Sequence, residues 1–112
     1  MTYKSWELRR EILADNDRFS EAGRTEALIL VEYVDWQTGE KVFASKSHAI
    51  NWFKQLAEIH GIGDYEGLDG KTYPGWHALK NTFDYLRVIG YASFDAKTKT
   101  LRLHKRDYKQ DR

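Results

Sequence analysis

From Pro74 the chain sets Trp76, Leu79, Phe83, Leu86 and Ile89 at intervals of three or four residues, then meets Gly90. That spacing puts every apolar side chain on one face of a helix. Pro74 suits a first turn, where its missing N–H costs nothing. Gly90 can take the left-handed conformation that ends a helix. A helix over 74–89 with one buried face is therefore predicted. Two β-prone runs follow, 91–94 and 100–104, joined by Asp95-Ala96-Lys97-Thr98-Lys99. A short polar link between such runs reads as a hairpin.

Upstream, 47–60 carries Ala49, Ile50, Phe53, Leu56 and Ala57 on one helical face. Ser45 or Ser47 can cap its start. Gly61 stops it, with Ile62 placed over the last turn. Lys41-Val42-Phe43-Ala44 reads as a short strand. Residues 61–73, with Gly61, Gly63, Gly67 and Gly70 and the acidic Asp64, Glu66 and Asp69, read as a loop. Residues 24–36 admit two readings. Ala27, Leu28, Leu30, Val31 and Val34 fit a buried helix face, which is the preferred reading. Their β-branched content and the Gln37-Thr38-Gly39-Glu40 turn also permit a hairpin of 27–35 with 41–44. Residues 3–14 read as a helical arm whose apolar stripe, Trp6, Ile12 and Leu13, is thin. Such an arm leaves open a homodimer formed through residues 3–14. The division expected is an arm over 1–23, a domain over 24–105 and a basic polar tail over 106–112.

A chain of 112 residues fits one domain, and four Trp, seven Tyr and five Phe supply its core. It has no Cys, which favours a reducing compartment and removes thiolate nucleophiles and thiolate zinc sites. No signal-like run opens it, and its longest apolar stretch, 27–31, is far too short to span a bilayer. A cytoplasmic location with no membrane partner is expected. The net charge is +1, but residues 1–95 hold 11 cations against 15 anions, whereas 96–112 hold seven against two. A basic terminal segment suits a polyanionic partner.

Catalytic patterns are missing. His48, His60, His77 and His104 include no i, i+4 pair, so no zinc motif forms. Asp64, Glu66 and Asp69 resemble a calcium loop, but Gly70 falls one place late and Gly75 stands where a Glu is needed. No glycine-rich phosphate loop is present. Neither an enzyme nor a metal or other cofactor is expected.

The order helix, short strand, helix, helix, hairpin resembles the winged helix-turn-helix superfamily. The sharpest match is Leu79-x3-Phe83-x2-Leu86-x2-Ile89-Gly90-Tyr91, which looks like the end of that family's recognition helix running into its first wing strand. The resemblance covers about 24–105; the link 61–73 is longer and more acidic than the family's usual turn. It implies an α+β winged helix, with a three-helix core, a short strand and a C-terminal β-hairpin wing, here preceded by the helical arm. It also implies double-stranded DNA as partner, with helix 74–89 in the major groove. Spacing puts His77, Lys80, Asn81 and Asp84 on the exposed side, with Arg87 beyond. Lys71, Thr72 and Tyr73 precede the helix, whose free N–H groups attract phosphate. By the resemblance, Lys97, Lys99 and Arg102 belong to the wing and touch the DNA backbone or minor groove. The role expected is a sequence-specific regulator, or a plasmid or phage replication or segregation factor, dimeric on a two-fold site. The alternative is a winged helix used as a protein-interaction adaptor. The near-neutral charge, the acidic loop and the tryptophans Trp36 and Trp52, which read either as the rim of the core or as partly exposed contacts, favour that alternative. Trp76 is expected in the core.

Overall fold

The computed structural model describes residues 3–106. Among them, four helices alternate with short strands in an α+β arrangement: α1 (Ser5–Ala14), α2 (Glu21–Tyr33), β1 (Glu40–Val42), α3 (Lys46–Ile59), β2 (Tyr65–Glu66), β3 (Thr72–Tyr73), α4 (Trp76–Val88), β4 (Ala92–Asp95) and β5 (Thr100–Leu103). The 24–36 segment is helical as far as Tyr33, with Val34 extended, and its hairpin reading is set aside. Ser20 caps α2, its Oγ accepting from the Gly23 N–H at 3.1 Å. Ala27, Leu30 and Val31 are buried at helical spacing, so the β-branched residues are accommodated by packing.

Both glycine stops behave alike. Gly61 and Gly90 sit at φ 66° and 92°, where a side chain would be strained. The Ile62 N–H donates to the Ala57 carbonyl, and the Tyr91 N–H to the Leu86 carbonyl, each at 2.8 Å. These bonds close the last turns of α3 and α4 and swing an apolar residue back over each helix end.

Helix α4 lies at the centre, packed on α2, α3 and β4. Leu79, Phe83 and Leu86 are buried on its inner face. Cutting Leu79 or Leu86 to alanine would cost about 2–5 kcal/mol. Thr82 is also buried, and its hydroxyl donates to Glu26 Oε2 at 2.5 Å, tying α4 to α2. The main sheet is antiparallel with strand order β1-β5-β4. Its register pairs Lys41 with Leu101 and Phe94 with Leu101, so Leu101 is the central rung. Leu101 and Leu103 face the core, whereas Thr100 and Arg102 face outward.

Three expectations need correction. The arm α1 packs on its own domain: Leu8 and Ile12, one helical turn apart, are each 1% exposed within the common core. The inward stripe is therefore Leu8 and Ile12, while Trp6 and Leu13 face out. A partner copy is not needed to cover that stripe, which removes the argument that motivated a homodimer through residues 3–14. Second, the partly exposed reading of Trp52 is set aside: the ring is buried, edge-on to Phe43 at 5.5 Å and Phe53 at 5.1 Å, and Phe43, just after β1, supplies an aromatic cover that helical spacing alone does not reveal. Trp36 is exposed, and Trp76 is half-buried against the core. Third, the loop 61–73 contains an antiparallel pair, β2 with β3, matching Tyr65 to Tyr73 and Glu66 to Thr72.

Arg106 begins the expected basic tail, yet it is buried. Its Nε donates to the Ile89 carbonyl at 2.9 Å, placing a cation at the C-terminal end of α4. Residues 107–112, including Lys109 and Arg112, lie outside the described residues. Among the described residues no helix is long and apolar enough to cross a membrane.

Candidate nucleic-acid interface

Three elements meet around one groove of about 420 Å³. The first is the start of α3. Ser45 caps it, its Oγ accepting from the His48 N–H at 3.1 Å, and His48 Nδ1 accepts from the Ala44 N–H at 2.9 Å. Lys46 opens the helix and reaches the groove.

The second is the outer flank of α4, which contributes Lys80, Asp84 and Arg87. Asp84 lies between the two cations, with Lys80 Nζ at 3.1 Å and Arg87 Nη1 at 3.8 Å. Arg87 also lies over the Phe83 ring at 5.9 Å. All three charged side chains are about half exposed. Such pairs contribute roughly 0–1 kcal/mol, so an arriving anion can take either cation at little cost.

The third is the β4–β5 hairpin. Asp95 Oδ1 accepts from the Lys97 N–H at 2.9 Å and shapes the turn. Lys99 takes a left-handed conformation with φ 53°. Its carbonyl accepts from the Phe43 N–H at 2.9 Å, which fastens the hairpin tip to the end of β1. Phe94, Ala96 and Lys99 line the groove from this side.

The result is an apolar floor of Phe43, Ala49, Phe53, Phe83 and Phe94 under a rim of Lys46, Lys80, Arg87 and Lys99, with Asp84 the single carboxylate of the lining. Of the expected site residues, the structure brings Lys80, Asp84, Arg87 and Lys99 together. Lys97 is exposed at the hairpin tip and lines, with Arg102, a neighbouring concavity that shares Phe94 and Ala96 with the groove. Arg102 is held by Glu40 at 2.7 Å across the strands, on the sheet face opposite Leu101.

The remaining expected residues lie away from the groove. Asn81 turns to the other flank, where its Nδ2 donates to Tyr65 Oη at 3.4 Å. The half-buried His77 ring packs on Trp76 at 4.2 Å and on Tyr73 at 5.7 Å. Lys71, Thr72 and Tyr73 belong to the β2–β3 hairpin before the helix. The Tyr73 hydroxyl donates to Asp69. That bond lowers the Asp69 carboxyl below its usual range and raises the Tyr73 phenol above its own. Tyr73 therefore serves its own hairpin. Lys46 was missed because Ser45-Lys46-Ser47 reads from sequence as capping chemistry; its signal is its place at the start of the helix that precedes α4.

No protein-family model, curated protein or solved structure matches the chain.

Proposed function

We propose that this protein is a winged helix that binds double-stranded DNA through the α3–α4–hairpin groove. The observation that carries the reading is the convergence of four cations from three separate elements, Lys46, Lys80, Arg87 and Lys99, on one concave rim. The sheet order β1-β5-β4 supports it, because the short first strand lies beside the returning strand of the hairpin. In this reading α4 enters the major groove, where Lys80 donates to guanine and Asp84 accepts from cytosine. Lys46, Arg87 and Lys99 hold phosphates, and Lys97 at the wing tip reaches the backbone. Such a protein serves as a regulator, or as a replication or segregation factor.

The test is fluorescence anisotropy of labelled random duplex titrated at low and moderate salt. Each neutralised phosphate contributes about −0.9 to the slope of log K against log salt, so four contacts give roughly −3 to −4. Replacing Lys97 and Lys99 together by alanine should weaken binding and flatten that slope. Absence of binding at low salt overturns the reading.

A protein-adaptor reading retains one supporting observation, the 73% exposure of Trp36 in the turn before β1. Its version through Trp52 fails, because that ring is 8% exposed.

A further inference from the structure

The β2–β3 hairpin carries a leucine that its own domain does not use. Leu68 stands at the apex, fully exposed. The turn beneath it is closed by the Gly70 N–H donating to the Gly67 carbonyl at 3.0 Å and the Gly67 N–H donating to the Lys71 carbonyl at 2.8 Å. The hairpin is well braced. Tyr65 and Tyr73 lie 5.9 Å apart across it, and Asp69 accepts both the Tyr73 hydroxyl and the Lys71 N–H. The Tyr73 ring fills the space beside Gly67 so closely that an added Cβ would lie 2.6 Å from it. A braced turn with a leucine at its tip keeps that side chain in water, where it gains nothing for the fold. Glu66, Asp69 and Lys71 flank it and are exposed, so carboxylates outnumber cations at the tip.

The groove described above has the opposite character: an apolar floor under a rim of four cations. A leucine flanked by carboxylates matches it in both polarity and charge. The hairpin cannot serve its own groove. Tyr65 bonds to Asn81, on the flank of α4 turned away from Lys80 and the groove.

We propose that the Leu68 tip of one copy docks in the α3–α4–hairpin groove of a second copy. Each surface repels its own kind, acid from acid and base from base, so the contact is head-to-tail. It buries a small area and belongs to the weak class of association, sensitive to salt. The contact stands whether or not the groove binds DNA.

Sedimentation velocity of the whole chain over a wide concentration range tests it. The wild type should show mass rising with concentration at low salt and falling back when salt is added. Leu68→Glu, at a fully exposed position, should stay monomeric with unchanged circular dichroism. The double variant Lys80→Glu with Lys99→Glu should also stay monomeric, now for lack of a groove. Mixed, the two should form a species of two chains and no larger, because one supplies a working groove and the other a working tip. A monomeric wild type at low salt and high concentration overturns the proposal. So does association by Leu68→Glu equal to the wild type, or a mixture that remains monomeric.

Discussion

The Phe43 amide donates to the carbonyl of Lys99 at 2.9 Å, so the end of the first strand of the main sheet holds the tip of its last hairpin. Lys99 meets this bond in a left-handed conformation, φ 53°, that costs an ordinary side chain about 1–2 kcal/mol. The groove's geometry and one of its charges thus sit on the same residue, and substitution can separate them. Lys99→Gly relieves the strain but adds unfolded-state entropy, so stability should stay within about 1 kcal/mol of the wild type. Lys99→Val adds a β-branch to the strain that the lysine already carries and should be the less stable of the two variants. Both remove the charge, so both should weaken DNA binding. Urea titration beside anisotropy distinguishes the two effects.

Arg106 is the second case in which a cation serves the fold. Its guanidinium is buried against the Ile89 carbonyl, and its backbone N–H donates to Glu11 Oε1 at 3.3 Å. Arg106→Ala should cost about 1–3 kcal/mol in urea unfolding, because a buried acceptor loses its donor. The salt slope of DNA binding should not change. A flatter slope would place Arg106 among the phosphate contacts instead.

Asp15 gives the acid limb of stability. Its side chain is 8% exposed, and that burial pushes its carboxyl upward. The hydrogen bonds from Tyr91 at 2.9 Å and from Arg18, with the Arg18 charge, outweigh burial and hold it below the usual carboxylate range. The folded state therefore binds its proton less readily than the unfolded chain. The stabilisation is complete above the unfolded value of about 3.9 and disappears as pH falls through the lower folded value. Asp15→Asn should lower stability at neutral pH. The gap to the wild type should narrow once pH drops below about 4. A gap that stays constant down to strongly acid pH would show that the carboxylate's charge is not the source.

Trp36 and Trp52 should behave as opposites. Trp52→Ala removes a ring packed between Phe43 and Phe53 and should cost about 3–5 kcal/mol. Trp36→Ala should alter stability by no more than about 0.5 kcal/mol. If Trp36→Ala also leaves capture of any protein partner intact, the adaptor reading loses its support.

Regular burial was legible in the sequence, and irregular burial was not. The α4 stripe from Leu79 to Leu86 and the stops at Gly61 and Gly90 follow from period and backbone chemistry alone, and the structure places them as expected. The identity of α2 needed tertiary context, since Leu30 and Val31 suit either a buried helix or a buried strand. The α1 stripe was misjudged because the bulk of Trp6 outweighed the simpler pair Leu8 and Ile12. Strands of two residues, such as β2 and β3, are too short to show alternation. On the site, spacing found Lys80, Asp84 and Arg87. It could not separate Asn81 from Lys80, because adjacent positions differ by about 100° around a helix and the neighbouring elements decide which flank each joins.

Helix α1 leaves the ribosome before α2, α3 and α4, yet its polar side is completed after all three. Glu7 pairs with Lys105 at 3.6 Å, Glu11 accepts from the Arg106 N–H across 95 residues of sequence, and Asp15 accepts from Tyr91. Leu8 and Ile12 can settle on α2 early and Asp15 can pair with Arg18 at once, but Glu7, Glu11 and the second partner of Asp15 wait for residues 91–106. Such distant pairings slow folding, because a large loop must close before they form. A nascent chain arrested before residue 91 would thus hold α1 by its apolar side and by the Arg24 bonds to the Ile12 and Asp15 carbonyls, and release of residues 91–106 adds the bonds that lock it.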